Sequence, residues 1–285
     1  MSVASTTSVW VSHSSISDFL KCPRLYYLRN VYKSKVGNRK MTIMTPPLAL
    51  GQAVHDTIEP LSHLPREERF KKPLLEIFVE MWKKIEGKKG GFKSKEQEDE
   101  FKERGIGMIE RVSKNPGLLL NKAVKIQPQT EKDKLSNFDL PYFTLSEQDN
   151  IILCGKIDWL EYLENDNSVH IVDFKTGKNE ENEESLQLPI YLLLAKNCQK
   201  FNVSKASYWY IDHEDLPSGV NLPNEELAKE NVLQVAKRVK LARQLNLMEC
   251  PRGGCYACLP FEAILRGSGE RVGVSGTNQD IFVLL

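Results

Sequence analysis

The amino-acid sequence predicts an α/β fold, in which a mixed β-sheet is flanked by helices and carries a helical insertion. Apolar residues recur at helical spacing up to about residue 122. Short runs rich in β-branched and aromatic residues then alternate with turn-forming clusters, and helical periodicity returns near residue 184. Because helices, strands and helices follow one another within 285 residues, we expect one domain over residues 1–285 rather than two independent ones.

The bulk composition is that of an ordinary folded protein. Hydrophobic residues make up 41% and charged residues 27% of the chain, which argues against disorder. The formal net charge of +1 gives no global positive field, so a contact with nucleic acid has to come from a local patch. No apolar run has the length of a membrane span, and residues 1–15 lack the pattern of a secretory signal. We therefore expect a cytoplasmic protein without membrane contacts, whose cysteines are rarely in disulfides.

Two helices are expected near the N-terminus. Ser15 is predicted to cap the first, with Asp18 as a weak capping-box acid. The second is predicted over 49–59, where His55 and Glu59 are four residues apart and share a face.

Residues 60–122 form the predicted helical insertion. Glycines at 87–91 are expected to interrupt it, and Pro116-Gly117 to end it. The apolar residues that recur at helical spacing are Phe70, Leu74, Phe78, Met81, Trp82, Ile85, Phe101, Met108, Ile109 and Val112.

The second half of the chain contains the predicted sheet. The helix over 184–197 separates its strands, and Asn224 is predicted to cap a long helix that runs to about Asn246. The tail over 250–258 is dense in cysteine, glycine and proline. The predicted strands are Ala123–Gln127, Leu140–Ser146, Ile151–Leu163, Ser168–Lys175 and Ala206–Ile211.

A β-hairpin is the most informative feature. Glu164-Asn165-Asp166-Asn167 is a strong turn signal between two predicted strands. If the turn centres between Asn165 and Asp166, Asp158 and Asp173 lie directly opposite each other, with Cβ atoms roughly 4.5–5.5 Å apart. Lys175 shares their face because strand side chains alternate.

Two opposed carboxylates destabilise a sheet unless something neutralises them. A divalent cation such as Mg²⁺ or Mn²⁺ does so, because carboxylates favour hard ions. Such an ion polarises a phosphoryl oxygen and lowers the pKa of a bound water, while Lys175 orients or deprotonates the water or stabilises charge on the phosphate. The alternative is a solvated polar face with an incidental lysine.

These residues resemble the core of a known nuclease family. Gly155-Lys156-Ile157-Asp158 and Asp173-Phe174-Lys175 are similar to the G-x-x-D and (D/E)-x-K motifs of PD-(D/E)XK nucleases, most closely in the RecB/AddB/Cas4-like branch. Three further segments agree with the family in the expected order. They are the entry segment Ser15–Arg24, the G-x-x-x-H segment Gly51–His55 and the Q-x-x-x-Y segment Gln187–Tyr191.

The resemblance implies a restriction-endonuclease-like fold and hydrolysis of DNA, with exonuclease action on free ends or single strands in repair, recombination or CRISPR adaptation. It also implies that Lys175 serves the attacking water and that Gln187 and Tyr191 face the substrate or support the lysine. The implied ligands of Mg²⁺ or Mn²⁺ are His55, Asp158, Asp173 and the backbone carbonyl of Phe174. Without the family resemblance, His55 is interpreted as a packing residue, and Gln187 and Tyr191 are interpreted as a pair on a helix surface.

The cysteines form a second constellation. The resemblance implies that Cys22 joins Cys250, Cys255 and Cys258 around a [4Fe–4S] cluster. The family pattern places a cysteine after the C-terminal C-x-x-C pair, whereas here Cys250 precedes it. Either Cys250 takes the vacant place, or the four thiols bind zinc or no metal. The other two cysteines, Cys154 and Cys198, are interpreted as buried fillers.

Two readings from other classes remain open. One is a non-catalytic DNA-binding or assembly module of a repair or CRISPR complex, and the other an iron–sulfur or zinc protein whose nuclease face is a relic. The filled positions Asp158, Asp173, Lys175 and His55 argue against both. The sequence contains no G-x-x-x-x-G-K-[ST] motif, so a helicase is expected only as a separate partner.

Overall fold

The computed structural model describes residues 8–126 and 140–285. It confirms the predicted α/β class, with mixed sheets flanked by helices. The α-helices are α1 (His13–Lys21), α2 (Pro23–Tyr26), α3 (Pro46–Ile58), α4 (Leu74–Trp82), α5 (Lys95–Lys114), α6 (Gln187–Cys198), α7 (Glu225–Gln244) and α8 (Leu259–Leu265). The strands are β1 (Val9–Val11), β2 (Met41–Ile43), β3 (Tyr142–Ser146), β4 (Ile151–Cys154), β5 (Trp159–Leu163), β6 (Ser168–Lys175), β7 (Asn202–Tyr210), β8 (Ser218–Val220), β9 (Gly269–Val274) and β10 (Asp280–Leu284).

The first helix begins three residues before the predicted cap. Ser12 is the N-cap, and its side chain accepts a hydrogen bond from the Ser15 backbone, while the Ser15 side chain accepts one from the Ser12 backbone. The prediction of Ser15 as the cap was therefore wrong, because Ser15 is the reciprocal partner in the capping box. Asp18 is buried instead, where it accepts hydrogen bonds from Arg29 at 2.7 Å and Asn30 at 3.0 Å.

The helical character predicted for residues 60–122 is observed. The helices α4 and α5 are joined through a 3₁₀ turn over Gly87–Gly90, and further 3₁₀ turns precede α4 and follow α5. Gly91 follows this turn with φ of 73°, a left-handed conformation that favours glycine. The α-helical part ends at Lys114, close to the predicted Pro116-Gly117 boundary.

The central sheet has the order β5-β6-β7-β8. Strands β5 and β6 form an antiparallel hairpin, and α6 provides the crossover to β7, which is parallel to β6. Helical residues from α3 to α5 pack on the face that carries Val172 and Phe174, while α6 and α7 pack on the face that carries Ile171. Because side chains alternate along β6, Asp173 and Lys175 lie on the α6 side.

The predicted strand Ile151–Leu163 is broken into two. Strand β4 pairs with β1 and β3, whereas β5 pairs with β6 in the other sheet. Residues 155–158 link the two sheets outside any strand. A Cβ at position 155 would meet Cδ1 of Leu194 at 2.9 Å, so a larger residue there would require the Leu194 side chain to shift. The interruption leaves Asp158 immediately before β5 rather than inside it.

Further differences lie at element ends, in the tail and in three short strands that were not predicted, β1, β2 and β8. The α6 helix starts at Gln187 rather than 184, and the cap of α7 by Asn224 is confirmed. Of the predicted strand Ala123–Gln127, Ala123 forms an isolated bridge to Glu161, and Gln127 lies outside the described residues. The tail contains two strands that were not predicted: β10 pairs with β9 and, in parallel, with β2. In the described ranges, no helix has both the length and the apolar character of a membrane span.

Candidate active site and cysteine cluster

The β5–β6 hairpin places two acidic residues at one end of the central sheet. Its observed pairs, from Trp159 with Val172 to Leu163 with Ser168, have the predicted register. Extended by one residue, this register sets Asp158 opposite Asp173. Asp158 is anchored there because its Oδ2 accepts a hydrogen bond of 2.9 Å from the Phe174 backbone N–H.

Lys175 lies two residues beyond Asp173, and three acceptor oxygens surround its ammonium group. Its Nζ is 2.8 Å from Asp173 Oδ2 and 2.5 Å from Glu181 Oε2, and it donates a hydrogen bond to Gln187 Oε1. The Tyr208 ring packs against the same group, 4.9 Å from its centroid. Burial lowers the pKa of Lys175, but the negative charges of Asp173 and Glu181 outweigh this effect and raise the pKa above its usual value.

Gln187, the first residue of α6, links the acid to the lysine. Its Nε2 donates a hydrogen bond of 2.9 Å to Asp173 Oδ1 and one of 3.1 Å to the Tyr191 hydroxyl, and its Oε1 accepts from Lys175. Residues four apart on a helix share a face, so Gln187 and Tyr191 both point at the sheet. Burial and the nearby charges of Asp173 and Asp158 raise the pKa of Tyr191. Its hydroxyl is therefore neutral at physiological pH.

The last turn of α3 brings a histidine and a second acid to Asp158. The Nδ1 atom of His55 is 2.6 Å from Glu59 Oε1 and 3.6 Å from Asp158 Oδ2. Ligand atoms of His55, Glu59 and Asp158 all lie within 4.8 Å of one another. Burial lowers the pKa of His55, but the hydrogen bond to Glu59 and the charge of Asp158 raise it to about 9.

The donor set fits a hard divalent cation. Burial raises the pKa of the Asp158 carboxyl well above its usual range, and the charges of Asp173 and Glu59 act in the same direction. Asp173 Oδ2 is buried, and no donor in the described residues makes a hydrogen bond to it, although the Lys175 ammonium lies beside it as an ion pair. An imidazole and several carboxylates with an unsatisfied oxygen are suitable ligands for Mg²⁺ or Mn²⁺.

The structure thus groups the predicted residues His55, Asp158, Asp173, Lys175, Gln187 and Tyr191 at one end of the sheet. A ligand role for the Phe174 carbonyl stays a prediction.

Sequence reasoning gave no role in the site to three charged neighbours, Glu59, Lys156 and Glu181. Glu59 contacts His55 and also forms an ion pair with Lys156. Its spacing from His55 was a usable signal, because residues four apart on a helix are neighbours. Glu181 lies in an acidic connection after β6, where nothing in the pattern separates it from the other glutamates.

The four predicted cysteines lie together at a second place. Ligand sulfurs of Cys22, Cys250, Cys255 and Cys258 are all within 4.8 Å of one another, so Cys250 occupies the fourth position of the group. The Sγ atoms of Cys255 and Cys258 are 3.7 Å apart. Backbone N–H groups of Cys258 and Ala257 lower the pKa of Cys255 to about 6, which favours its thiolate form.

An apolar shell surrounds this cysteine cluster. Its members come from the first helical segments, β2, α8 and β10: Leu25, Leu28, Met41, Phe261, Ile264 and Phe282. Cys154 and Cys198 lie elsewhere and are buried, as predicted. Four thiols around one point form a ligand set that suits either an iron–sulfur cluster or a zinc ion.

Comparison with known proteins places this geometry in a family. No curated protein matches the chain. A family model described as the PD-(D/E)XK nuclease superfamily matches residues 10–260, which is most of the chain and includes both the candidate active site and the cysteine cluster. The mixed α/β fold is consistent with the restriction-endonuclease-like core of that superfamily. The chain therefore belongs to the PD-(D/E)XK nuclease superfamily.

Proposed function

We propose that the protein is a Mg²⁺- or Mn²⁺-dependent deoxyribonuclease that hydrolyses phosphodiester bonds at DNA ends or in single strands. Membership of the superfamily implies a nuclease that uses a divalent metal. The observation that carries the finer proposal is the buried network in which Gln187 bonds to Asp173 and Lys175, together with the neighbouring group of possible metal ligands formed by His55, Glu59 and Asp158. Such an arrangement provides both a cation site and a fixed ammonium group beside it.

Each residue has a distinct proposed task. His55, Asp158, Asp173 and the carbonyl of Phe174 would hold the cation, which when bound polarises a phosphoryl oxygen and lowers the pKa of water. Lys175 is surrounded by acceptors and carries a raised pKa, so it acts as a donor that orients the attacking water or stabilises charge on the phosphate, rather than as a base.

Gln187 and Tyr191 are positioning residues in this proposal. The amide of Gln187 holds the Asp173 carboxylate and the Lys175 ammonium at a fixed separation. Tyr191 accepts the second N–H of the same amide and so fixes the amide orientation. We propose no direct contact of either side chain with the reacting phosphate.

The cysteine cluster is proposed to hold a [4Fe–4S] cluster, which follows from the resemblance to the RecB/AddB/Cas4-like branch. Zinc is the competitor, because tetrahedral Zn–S bonds of about 2.3 Å separate sulfurs by about 3.8 Å. The observed 3.7 Å between Cys255 and Cys258 supports that competitor. Anaerobic purification, a visible absorption spectrum and metal analysis separate the outcomes. Brown colour with iron supports the cluster, colourless protein with one zinc supports the competitor, and metal-free protein excludes both.

In the same proposal, residues 1–285 form one nuclease domain. The segment 60–122 is a helical insertion, and the cysteine-rich segment 250–258 is fastened to Cys22. A separate helicase or CRISPR adaptation proteins would deliver DNA ends to the site.

The direct test is digestion of end-labelled linear and circular DNA with Mn²⁺. Lys175→Ala is expected to lose at least about 100-fold in turnover, as is typical for loss of a fixed charge stabiliser. Lys178→Ala is the matched control, because Lys178 is exposed on the same connection, and it should retain wild-type turnover. Resistance of circular DNA supports exonuclease action, whereas its cleavage shows an endonuclease.

A non-catalytic DNA-binding or assembly module is the alternative. It predicts DNA binding with no turnover in any divalent metal. Equal digestion by wild type and Lys175→Ala would remove the lysine from the mechanism.

A further inference from the structure

The connection between β6 and α6 carries four glutamates: Glu180, Glu181, Glu183 and Glu184. Glu180, Glu183 and Glu184 are exposed. Glu181 is half-buried, and its carboxylate turns inward to contact the Lys175 ammonium at 2.5 Å. An ion pair between this carboxylate and the lysine of a nuclease site is unexpected, because the same ammonium group is the one proposed to interact with a phosphate.

The connection holds Glu181 in this inward position. Its backbone N–H donates a hydrogen bond of 2.9 Å to the hydroxyl of Tyr210, a buried residue of β7. Burial raises the pKa of Glu181, but hydrogen bonds to Lys175 and Ser185 outweigh this effect and hold the pKa below its usual value. The carboxylate is therefore ionised at neutral pH and is a competent partner for the lysine.

The three oxygens around Lys175 are not equally replaceable. Asp173 and Gln187 are buried and bonded to each other, so neither can leave without disrupting the site. The Glu181 side chain is 23% exposed, against 5% for Asp173, and it extends from a connection rather than from a strand or helix. Glu181 is therefore more accessible to a phosphate from solvent than Asp173 is.

We propose that Glu181 is an internal competitor of the substrate: its carboxylate occupies, in the free protein, the place at Lys175 that a phosphodiester oxygen of DNA takes on binding. This inference rests on the proposed nuclease function and adds a residue that limits substrate affinity.

Binding is measured by fluorescence anisotropy with a short single-stranded oligonucleotide, in chelator at low salt, so that no cleavage occurs. Glu181→Gln and Glu181→Ala are expected to bind DNA about fivefold more tightly than wild type, since the competitor is lost. Glu183→Gln is the matched control: it removes the same charge from an exposed position and should change affinity by less than about twofold. With Mn²⁺, the two Glu181 variants should lower KM while kcat stays within about twofold.

A double-mutant cycle distinguishes competition at Lys175 from general charge repulsion. In the Lys175→Ala background the competitor has no lysine to occupy, so Glu181→Gln should no longer tighten DNA binding. A gain that persists there, or an equal gain from Glu183→Gln, would show general charge repulsion and overturn the proposal. A fall in kcat with unchanged KM and affinity would overturn it too, because Glu181 would then orient the lysine.

Failure of this inference differs from failure of the proposed function. If wild type cleaves DNA but the Glu181 variants bind like wild type, only the competitor role is lost. If wild type neither binds nor cleaves DNA, the nuclease proposal itself fails.

Discussion

The two polar atoms of the Gln187 side chain contact three members of the candidate site. The Nε2 atom bonds to Asp173 and Tyr191, and the Oε1 atom accepts from Lys175. Substitution of a residue that orients a metal ligand commonly costs 10- to 100-fold in activity or metal affinity. We therefore expect the amide to affect the proposed reaction through the orientation of its neighbours.

We expect Gln187→Ala to lower kcat by about 10- to 100-fold while DNA affinity in chelator stays close to wild type. The reason is that Asp173 and Lys175 lose their common partner but keep their charges. Tyr191→Phe is the control, because it removes a single acceptor of the amide, and we expect less than about fivefold. Steady-state kinetics check both, and equal losses of kcat and DNA affinity in Gln187→Ala would instead indicate local unfolding.

For individual residues, the sequence was a better guide to the reactive side chains of the site than to the residues that contact them. Asp158, Asp173 and Lys175 could be found because a turn fixes the hairpin register, and the observed pairs agree. Glu181 could not, because its inward direction depends on the Tyr210 hydroxyl, which comes from a strand further along the chain. A contact of that kind has no signature in local spacing.

Among the structural elements, the central strands carry a second buried polar network on the face opposite Asp173. His170 of β6 bonds through Nδ1 to Glu161 of β5 at 2.7 Å and through Nε2 to Ser207 of β7 at 2.8 Å. Asn121 donates to the other oxygen of Glu161 at 2.6 Å. The three strands are thus joined by side chains as well as by their backbone ladders.

We expect Glu161→Gln to destabilise the protein at pH 7 by about 1–3 kcal/mol, since charge-assisted bonds to a buried carboxylate are lost. Burial raises the pKa of Glu161, but the bonds to His170 and Asn121 hold it below its usual value of 4.5. A carboxyl group whose pKa is lowered by folding stabilises the protein at pH values above its pKa in the unfolded state. This stability is lost as the pH falls through the pKa of the folded state. The difference in the free energy of unfolding between wild type and Glu161→Gln should therefore become smaller below about pH 4.5.

Urea unfolding at pH 7 and at successively lower pH, as far as both proteins stay folded, measures this difference. Glu164→Gln is a suitable control, because Glu164 lies in the exposed hairpin turn, and it should change stability by less than about 0.5 kcal/mol. A difference for Glu161→Gln that is constant with pH would mean that the carboxylate is not the source of the stability.

The boundaries of helices and strands were predictable where nearby residues determine them, as at a helix cap. They were not predictable where pairing with a distant strand determines them. Asn224 caps α7 as its sequence predicts. The strand predicted over 151–163 breaks because β4 and β5 find partners in different sheets. Strands β9 and β10 were not predicted, because β10 pairs with β2, which lies more than 200 residues earlier in the chain.

For the whole molecule, the cysteine cluster brings Cys22, between α1 and α2, next to the segment that precedes α8. A metal that binds only the folded chain adds its binding free energy to stability. The two ends of the chain are therefore expected to depend on metal loading for their attachment.

We expect Cys22→Ser to lower the metal content and to reduce the melting temperature by at least about 5 °C, because one ligand of four is lost. Cys198→Ala is the control, since Cys198 is buried but lies outside the cluster, and it should keep the wild-type metal content. Elemental analysis and thermal unfolding with and without chelator make the comparison. Identical metal content and melting temperature in Cys22→Ser and wild type would show that Cys22 is not a metal ligand.

The pairing of β2 with β10 also bears on how the chain is made. A ribosome releases β2 long before β10, so the edge of β2 has no partner until almost all the later residues have emerged. An unsatisfied strand edge invites pairing with other chains, and contacts this distant in sequence slow folding. Nascent chains are therefore open to misassembly at this edge until β10 has emerged, and a stop codon before β10 would leave the edge without its partner.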